Sequence, residues 1–185
     1  MKKVVLSLVV LLISASAFAQ LSGGVKGGLN LANWGGDAEG TDMRPAFHVG
    51  GYVNFALSDA ISLQPELLYN SVGFKEGDGS LVADYISIPV MLLYNVNENF
   101  NIQAGPQLGL LMSAKAKEDG NSVDFKDFFT GTDFGVNVGV GANFGKLNAA
   151  ARYCIGLANI IEDSGDQKVT NNVIQLSLGY KLFGE

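Results

Sequence analysis

Asp133-Phe134-Gly135-Val136-Asn137-Val138-Gly139-Val140-Gly141-Ala142-Asn143-Phe144 decides the fold. Its even positions are all apolar, and its odd positions are Asp, Gly or Asn. A period of two belongs to a β-strand with two unlike faces. The polar face lacks the Lys, Glu and Thr that usually meet open water, so Gly and Asn there fit a crowded, enclosed polar interior. The stretch also has the length, about 9–11 residues, that a tilted strand needs to cross a bilayer. The expectation is one strand of a membrane β-barrel, which the rest of the chain has to repeat.

Seven other stretches alternate in the same way. Leu21–Leu31, Ala46–Leu57, a strand starting at Ile61, Asp84–Val96 and Phe100–Ala114 precede it, while Leu147–Leu157 and Asn172–Phe183 follow. The quoted strand has room to extend back to Asp127. Between these stretches, polar connections at Ala32–Arg44, Lys75–Ala83, Lys115–Lys126 and Asn159–Thr170 take turns with tight ones at Ser58-Asp59, Asn97-Glu98-Asn99 and Gly145-Lys146. A soluble sandwich has no reason to sort its loops by length. An outer-membrane barrel does, with short periplasmic turns and longer outside loops. The predicted fold is all-β: an eight-stranded antiparallel up-and-down transmembrane β-barrel with both termini on the periplasmic side. Closing the sheet pairs every backbone N–H and C=O inside lipid, which an open sheet cannot do.

The aromatic residues agree with this reading. Phe55, Tyr94, Phe100 and Phe144 flank short turns on the apolar face, and Tyr180 points the same way, so they form the expected periplasmic girdle. Phe47, Tyr69, Phe134 and Tyr153 fall toward the opposite rim. The fold-level rival is a soluble lipocalin-like barrel, which would put the apolar face inside.

Residues 1–19 read as a cleaved signal peptide: Lys2 and Lys3, an apolar run from Val4 to Ile13, then Ala17-Phe18-Ala19. This leaves 20–185 as the barrel domain. The apolar run is too short for a membrane helix, and no later stretch reaches the roughly 18 apolar residues of one. Of the 12 Lys and Arg, Lys2 and Lys3 leave with the leader, so 10 face 18 acidic residues, a net charge of −8. That balance offers no electrostatic footprint for nucleic acid. The single cysteine, Cys154, excludes an internal disulfide.

Gly27-Gly28-Leu29-Asn30, Leu63-Gln64-Pro65-Glu66-Leu67, Tyr85-Ile86-Ser87-Ile88-Pro89 and Ala104-Gly105-Pro106 give the chain a family likeness. It resembles the small outer-membrane β-barrel domain family that includes PorT-like proteins and the OmpA- and OmpX-type eight-stranded barrels. The resemblance covers essentially the whole mature chain. It implies a fold and an integral place in the outer membrane, and no particular activity.

Candidate sites lie on the polar face. Lys26, Glu66, Arg152 and Lys181 fall there, with His48 nearer the outer rim. A barrel of this size is just wide enough to be filled by its own side chains, and buried charges need partners. The expectation is therefore a structural network in which Glu66 pairs with Arg152 or Lys26, with a gated ion path as the sharper rival. Counted from the Ser58-Asp59 turn, His48 lies opposite Tyr69 or Asn70 and Glu66 opposite Gly51, so no Ser-His-acid cluster follows. Cys154, on the inward face, is expected to be a packed thiol, since no second Cys or base is placed beside it. The loops carry Asp37, Glu39 and Asp42, then Glu118 and Asp119, then Glu162-Asp163-Ser164-Gly165-Asp166. These read as a solvated acidic surface, with a surface calcium site as the sharper rival, and match no EF-hand loop. Gly139-Val140-Gly141 lies inside a strand, so it is not a nucleotide signature. Trp34, in the first long loop, has two readings, a binding anchor or an interface aromatic.

The functional expectation is an integral outer-membrane barrel with a filled lumen and a structural or surface-interaction role through four acidic external loops. It is not an enzyme and has no cofactor, catalytic residue or metal. Its partners are outer-membrane lipid, the barrel assembly machinery during insertion, and an unidentified extracellular ligand. The alternatives are a narrow porin-like pore and a barrel-borne lipid-modifying enzyme.

Overall fold

The computed structural model describes residues 21–38, 41–77, 79–118, 121–161 and 167–184. The expected leader, the acidic residues Glu39, Asp119, Glu162, Asp163 and Asp166, and Ser164 and Gly165 lie outside them.

The strands are β1 (Leu21–Gly36), β2 (Asp42–Ala56), β3 (Ile61–Glu76), β4 (Gly79–Asn95), β5 (Phe100–Glu118), β6 (Asn121–Asp124), β7 (Thr132–Phe144), β8 (Leu147–Gly156) and β9 (Val169–Phe183). Eight of them close into a ring. The order runs β4-β3-β2-β1-β9-β8-β7-β5, and pairing between β4 and β5 shuts it. Every pairing is antiparallel. The first and last barrel strands meet along almost their whole length, from Gly23 opposite Phe183 to Gly36 opposite Val169.

The alternation assigns the faces as the sequence implies. Leu29, Val49, Leu67, Leu92, Ile102, Val140 and Leu178 are exposed on the outside, while Lys26, Asn30, His48, Glu66, Asn137, Arg152 and Gln175 are buried inside. This inverts the soluble arrangement, and the lipocalin-like rival falls with it. Phe134 and Phe144 stand exposed near the two ends of β7.

The structure departs from the expected boundaries on the long-connection side. Lys75–Ala83 is not a loop: β3 and β4 stay paired out to Glu76 opposite Gly79. Gly77 takes a φ of 56° at the tip, where a side-chain-bearing residue would be strained. Polar composition conceals this hairpin, but Val72, Phe74 and Ala83 keep the inward phase and are buried. β7 begins at Thr132 and does not reach Asp127, which lies in a 3₁₀ turn at Lys126–Phe128. Lys115–Lys126 is likewise not plain loop, because β5 continues to Glu118 and folds back on the short β6. The first three long connections are thus largely strand in their described residues, whereas the fourth enters strand only at Val169.

Candidate functional site

Three zones succeed one another along the barrel interior. At the short-turn end lies a polar vestibule of about 400 Å³, walled by Lys26, Asn101, Gln103, Asn148, Arg152 and Lys181 among others. Its inner wall is an ion triad. Arg152 donates from Nη1 and Nη2 to the two Glu66 oxygens at 2.9 and 2.7 Å, and Lys26 Nζ reaches the same carboxylate at 3.1 and 3.3 Å. Gln64 donates to Glu66 Oε1 at 2.8 Å, and Arg152 Nε to Gln103 Oε1 at 2.7 Å. A bidentate guanidinium–carboxylate fork is among the stronger hydrogen-bonded pairs and fixes orientation. Lys181, the fourth charge named from the sequence, is not part of this triad. It sits half-buried at the vestibule mouth, and its backbone N–H donates to Lys146 O.

Gly139 shows why β7 has glycine on its inner face. It lies in register between Gln103 of β5 and Arg152 of β8, whose side chains bond to each other across it. A Cβ there would stand 2.3 Å from Ala151 O and 2.8 Å from Arg152 Cγ.

The middle zone is built around His48. Asn30 Oδ1 can only accept, so His48 Nδ1 carries the proton and donates to it at 2.9 Å. The other nitrogen, Nε2, then accepts from the Ser177 hydroxyl at 2.9 Å. Gln175 Nε2 also donates to Asn30 Oδ1, and Asn30 Nδ2 to Asn70 Oδ1 and Ser71 O. Gly28 lies directly between His48 and Ser177 in register and leaves the space over which they meet. The register sets His48 opposite Asn70 and Glu66 opposite Tyr52, one residue from the expected Gly51.

Sequence reasoning finds no serine for His48, yet the structure supplies one. Ser177 comes from β9, and only ring closure through β1 brings it near β2. Ser, His and an orienting Asn form the hydrogen-bond chain of an activated nucleophile. Here all three are buried, and none lines the vestibule.

The outer zone is apolar, which the Gly and Asn face of β7 does not foretell. Ala32, Val72, Ala83, Tyr85, Leu111, Ala114, Cys154 and Val173 continue the inward phase, and Phe129 and Ile160 close over them from two connections. Phe129 and Ile161 form an isolated antiparallel bridge. Trp34 is neither a free anchor nor an interface aromatic: its ring centroid lies 4.2 Å from Phe74 and 6.0 Å from Phe129. Cys154 is buried in this cluster as a free thiol. Between the zones is a void of about 20 Å³ beside Asn137, Asp133 and Asn171, room for about one water.

On the outer face, Tyr94, Phe100, Phe144 and Tyr180 stand exposed near the short turns, with Phe55 half-buried on the same side. Of the loop acids, Asp37 accepts from Lys168 N–H at 2.8 Å and so ties the first long connection to the last. Among the described residues, no group of three His, Cys, Asp or Glu is placed to share a metal ion.

A family model described as outer membrane protein beta-barrel domain matches residues 5–181. No curated protein matches the sequence. Among solved structures, the attachment invasion locus protein Ail of Yersinia pestis is similar with a TM-score of 0.55 and 16% identity, covering 88% of this chain and 99% of its own. Neisserial surface protein A aligns with a TM-score of 0.58 and 11% identity, over 86% of this chain and 97% of its own. At these identities the likeness is one of fold.

Proposed function

This chain belongs to the outer membrane protein beta-barrel domain family and is integral to the outer membrane, and from that premise we propose that it is a sealed, non-enzymatic barrel whose outer end is an interaction surface. One turn carries the reading. Lys126–Phe129 sends Phe129 down into the barrel mouth and leaves the adjacent Phe128 62% exposed beyond the outer aromatic ring. Phe128 stacks on Phe125 with centroids 5.5 Å apart, and Val123 nearby is also exposed. Asp124, Lys126 and Asp127 surround them. An apolar ridge held in water by a folded hairpin fits a contact surface. The inward half of the turn and the side chains beneath it oppose the pore reading. The partners are the lipid that coats the apolar face, the assembly machinery during insertion, and an extracellular ligand that meets the ridge.

Two measurements test this. Purified protein in planar bilayers is expected to show no single-channel steps, and stable steps would replace the sealed barrel with a pore. Cells displaying Phe128→Asp are expected to be retained several-fold less on an apolar surface than cells displaying the parent. Equal retention, at equal surface amounts, would remove the interaction role.

The Asn30–His48–Ser177 chain favours one second reading, a serine-type enzyme. Its burial argues against that. A fluorophosphonate probe is expected to leave Ser177 unlabelled in the folded protein, and stoichiometric labelling would reopen catalysis.

A further inference from the structure

The geometry points to an anion-binding site in the vestibule at the short-turn end, built for a small solute bearing a carboxylate or phosphate group.

Charge balance leads to it. Glu66 is a single carboxylate held by two cations, Lys26 and Arg152, all three almost completely buried. No other ion pair is found among the described residues. The triad therefore leaves one positive charge uncompensated inside a ring surrounded by lipid, where a lone charge is expensive. The unused hydrogen-bonding capacity is of the same sign. Lys26 Nζ has three protons and reaches only the Glu66 oxygens, and Arg152 uses one bond from each of its three nitrogens.

The cavity collects that excess. Lys26 and Arg152 form its inner wall, and Lys146 and Lys181 stand toward its mouth. Glu98 is the single carboxylate in the lining, so four cations face it in a chain whose total charge is −6. The remaining polar wall is mostly uncharged amide, including Asn101, Gln103 and Asn148, which can donate to an oxyanion or to hydroxyl groups. A volume of about 400 Å³ falls in the range of small-molecule sites, about 300–1,000 Å³. Low-dielectric walls around like charges focus their field on whatever enters.

Calorimetry on the full protein in neutral detergent tests the site, with inorganic phosphate and galacturonate as probes and galactose as the uncharged control. Saturable binding of at least one anion is expected, with galactose silent. The anion that binds more tightly decides whether phosphate or a carboxylated sugar is the better model. Lys146 and Lys181 lie outside the buried triad, so Lys146→Ala with Lys181→Ala is expected to keep the closed-barrel gel mobility and weaken binding at least five-fold. Lys115→Ala with Lys126→Ala, at the other end, is expected to change it less than two-fold. Absence of saturable heat up to about 10 mM of either anion would overturn the site, since that is affinity too weak to count as recognition. Galactose binding as well as galacturonate, or equal losses in both double variants, would overturn it too. If the first double variant does not close, Asn148→Asp, which puts a carboxylate in the wall, must weaken binding in its place.

Discussion

Glu66 is the side chain on which the barrel interior depends most. It is one anion between two buried cations, so Glu66→Gln leaves Lys26 and Arg152 facing each other with no negative charge between them. The expected loss is about 3–5 kcal/mol, the scale for breaking a buried pair. Lys26→Met leaves a balanced Arg152–Glu66 fork and is expected to lose clearly less. The single tryptophan, Trp34, packed in the outer cap, reports unfolding of both in denaturant titrations. His48→Ala orphans the Ser177 hydroxyl and takes one donor from Asn30, for an expected loss of about 1–3 kcal/mol. Equal stabilities of Glu66→Gln and the parent would refute the triad as a structural centre. Of these contacts, the Glu66 pairing is legible from strand phase, because charges on one enclosed face must find each other. The His48–Ser177 bond is not. Its partners are 129 residues apart and meet only through the closing seam.

On the scale of a strand, β7 shows how alternation encodes two surfaces at once. Its outward residues can change size freely against lipid, whereas its inward glycines are fitted to their neighbours. Gly139→Ala pushes a methyl into Ala151 O and the Arg152 side chain. The expected loss is about 1–3 kcal/mol, the usual penalty of overpacking. Val138→Ala, one position away on the exposed face, is expected to cost less. Melting in detergent, followed by loss of the compact gel form, ranks the pair, and the reverse order would show that Gly139 is not under this constraint. Strand identity and sidedness are read directly from a period of two. Strand ends are not, because Lys75, Glu76 and Gly77 have loop composition yet sit at a paired hairpin tip. Pairing above the membrane is set by the partner strand, which local sequence does not display.

For the whole molecule, the testable property is which end faces out. Ser122 lies in β6 at the long-connection end, and Ser58 in the turn after β2. In intact cells, Ser122→Cys is expected to react with a membrane-impermeant maleimide. Ser58→Cys should react only once the outer membrane is breached, and Cys154 in neither condition. Labelling of Ser58→Cys in intact cells would invert the topology. The eight-stranded ring is legible because its alternating strands and connections repeat along the chain. The cap is not, because Phe129 and Ile160 come from separate connections and carry no periodic signal.

The seam between β1 and β9 has a bearing on the timing of synthesis. The earliest strand to leave the ribosome has the latest one as its permanent neighbour, so Lys26 and Gly28 are made long before the edge beside them exists. Until Phe183 is in place the ring cannot close, and β1 lacks the partner for one of its two edges. Joining Phe183 to Leu21 and cutting instead at Ser58-Asp59 would give a ring of the same contacts whose birth order is reversed at the seam. Such a circular permutant is expected to reach the same closed form at a different rate.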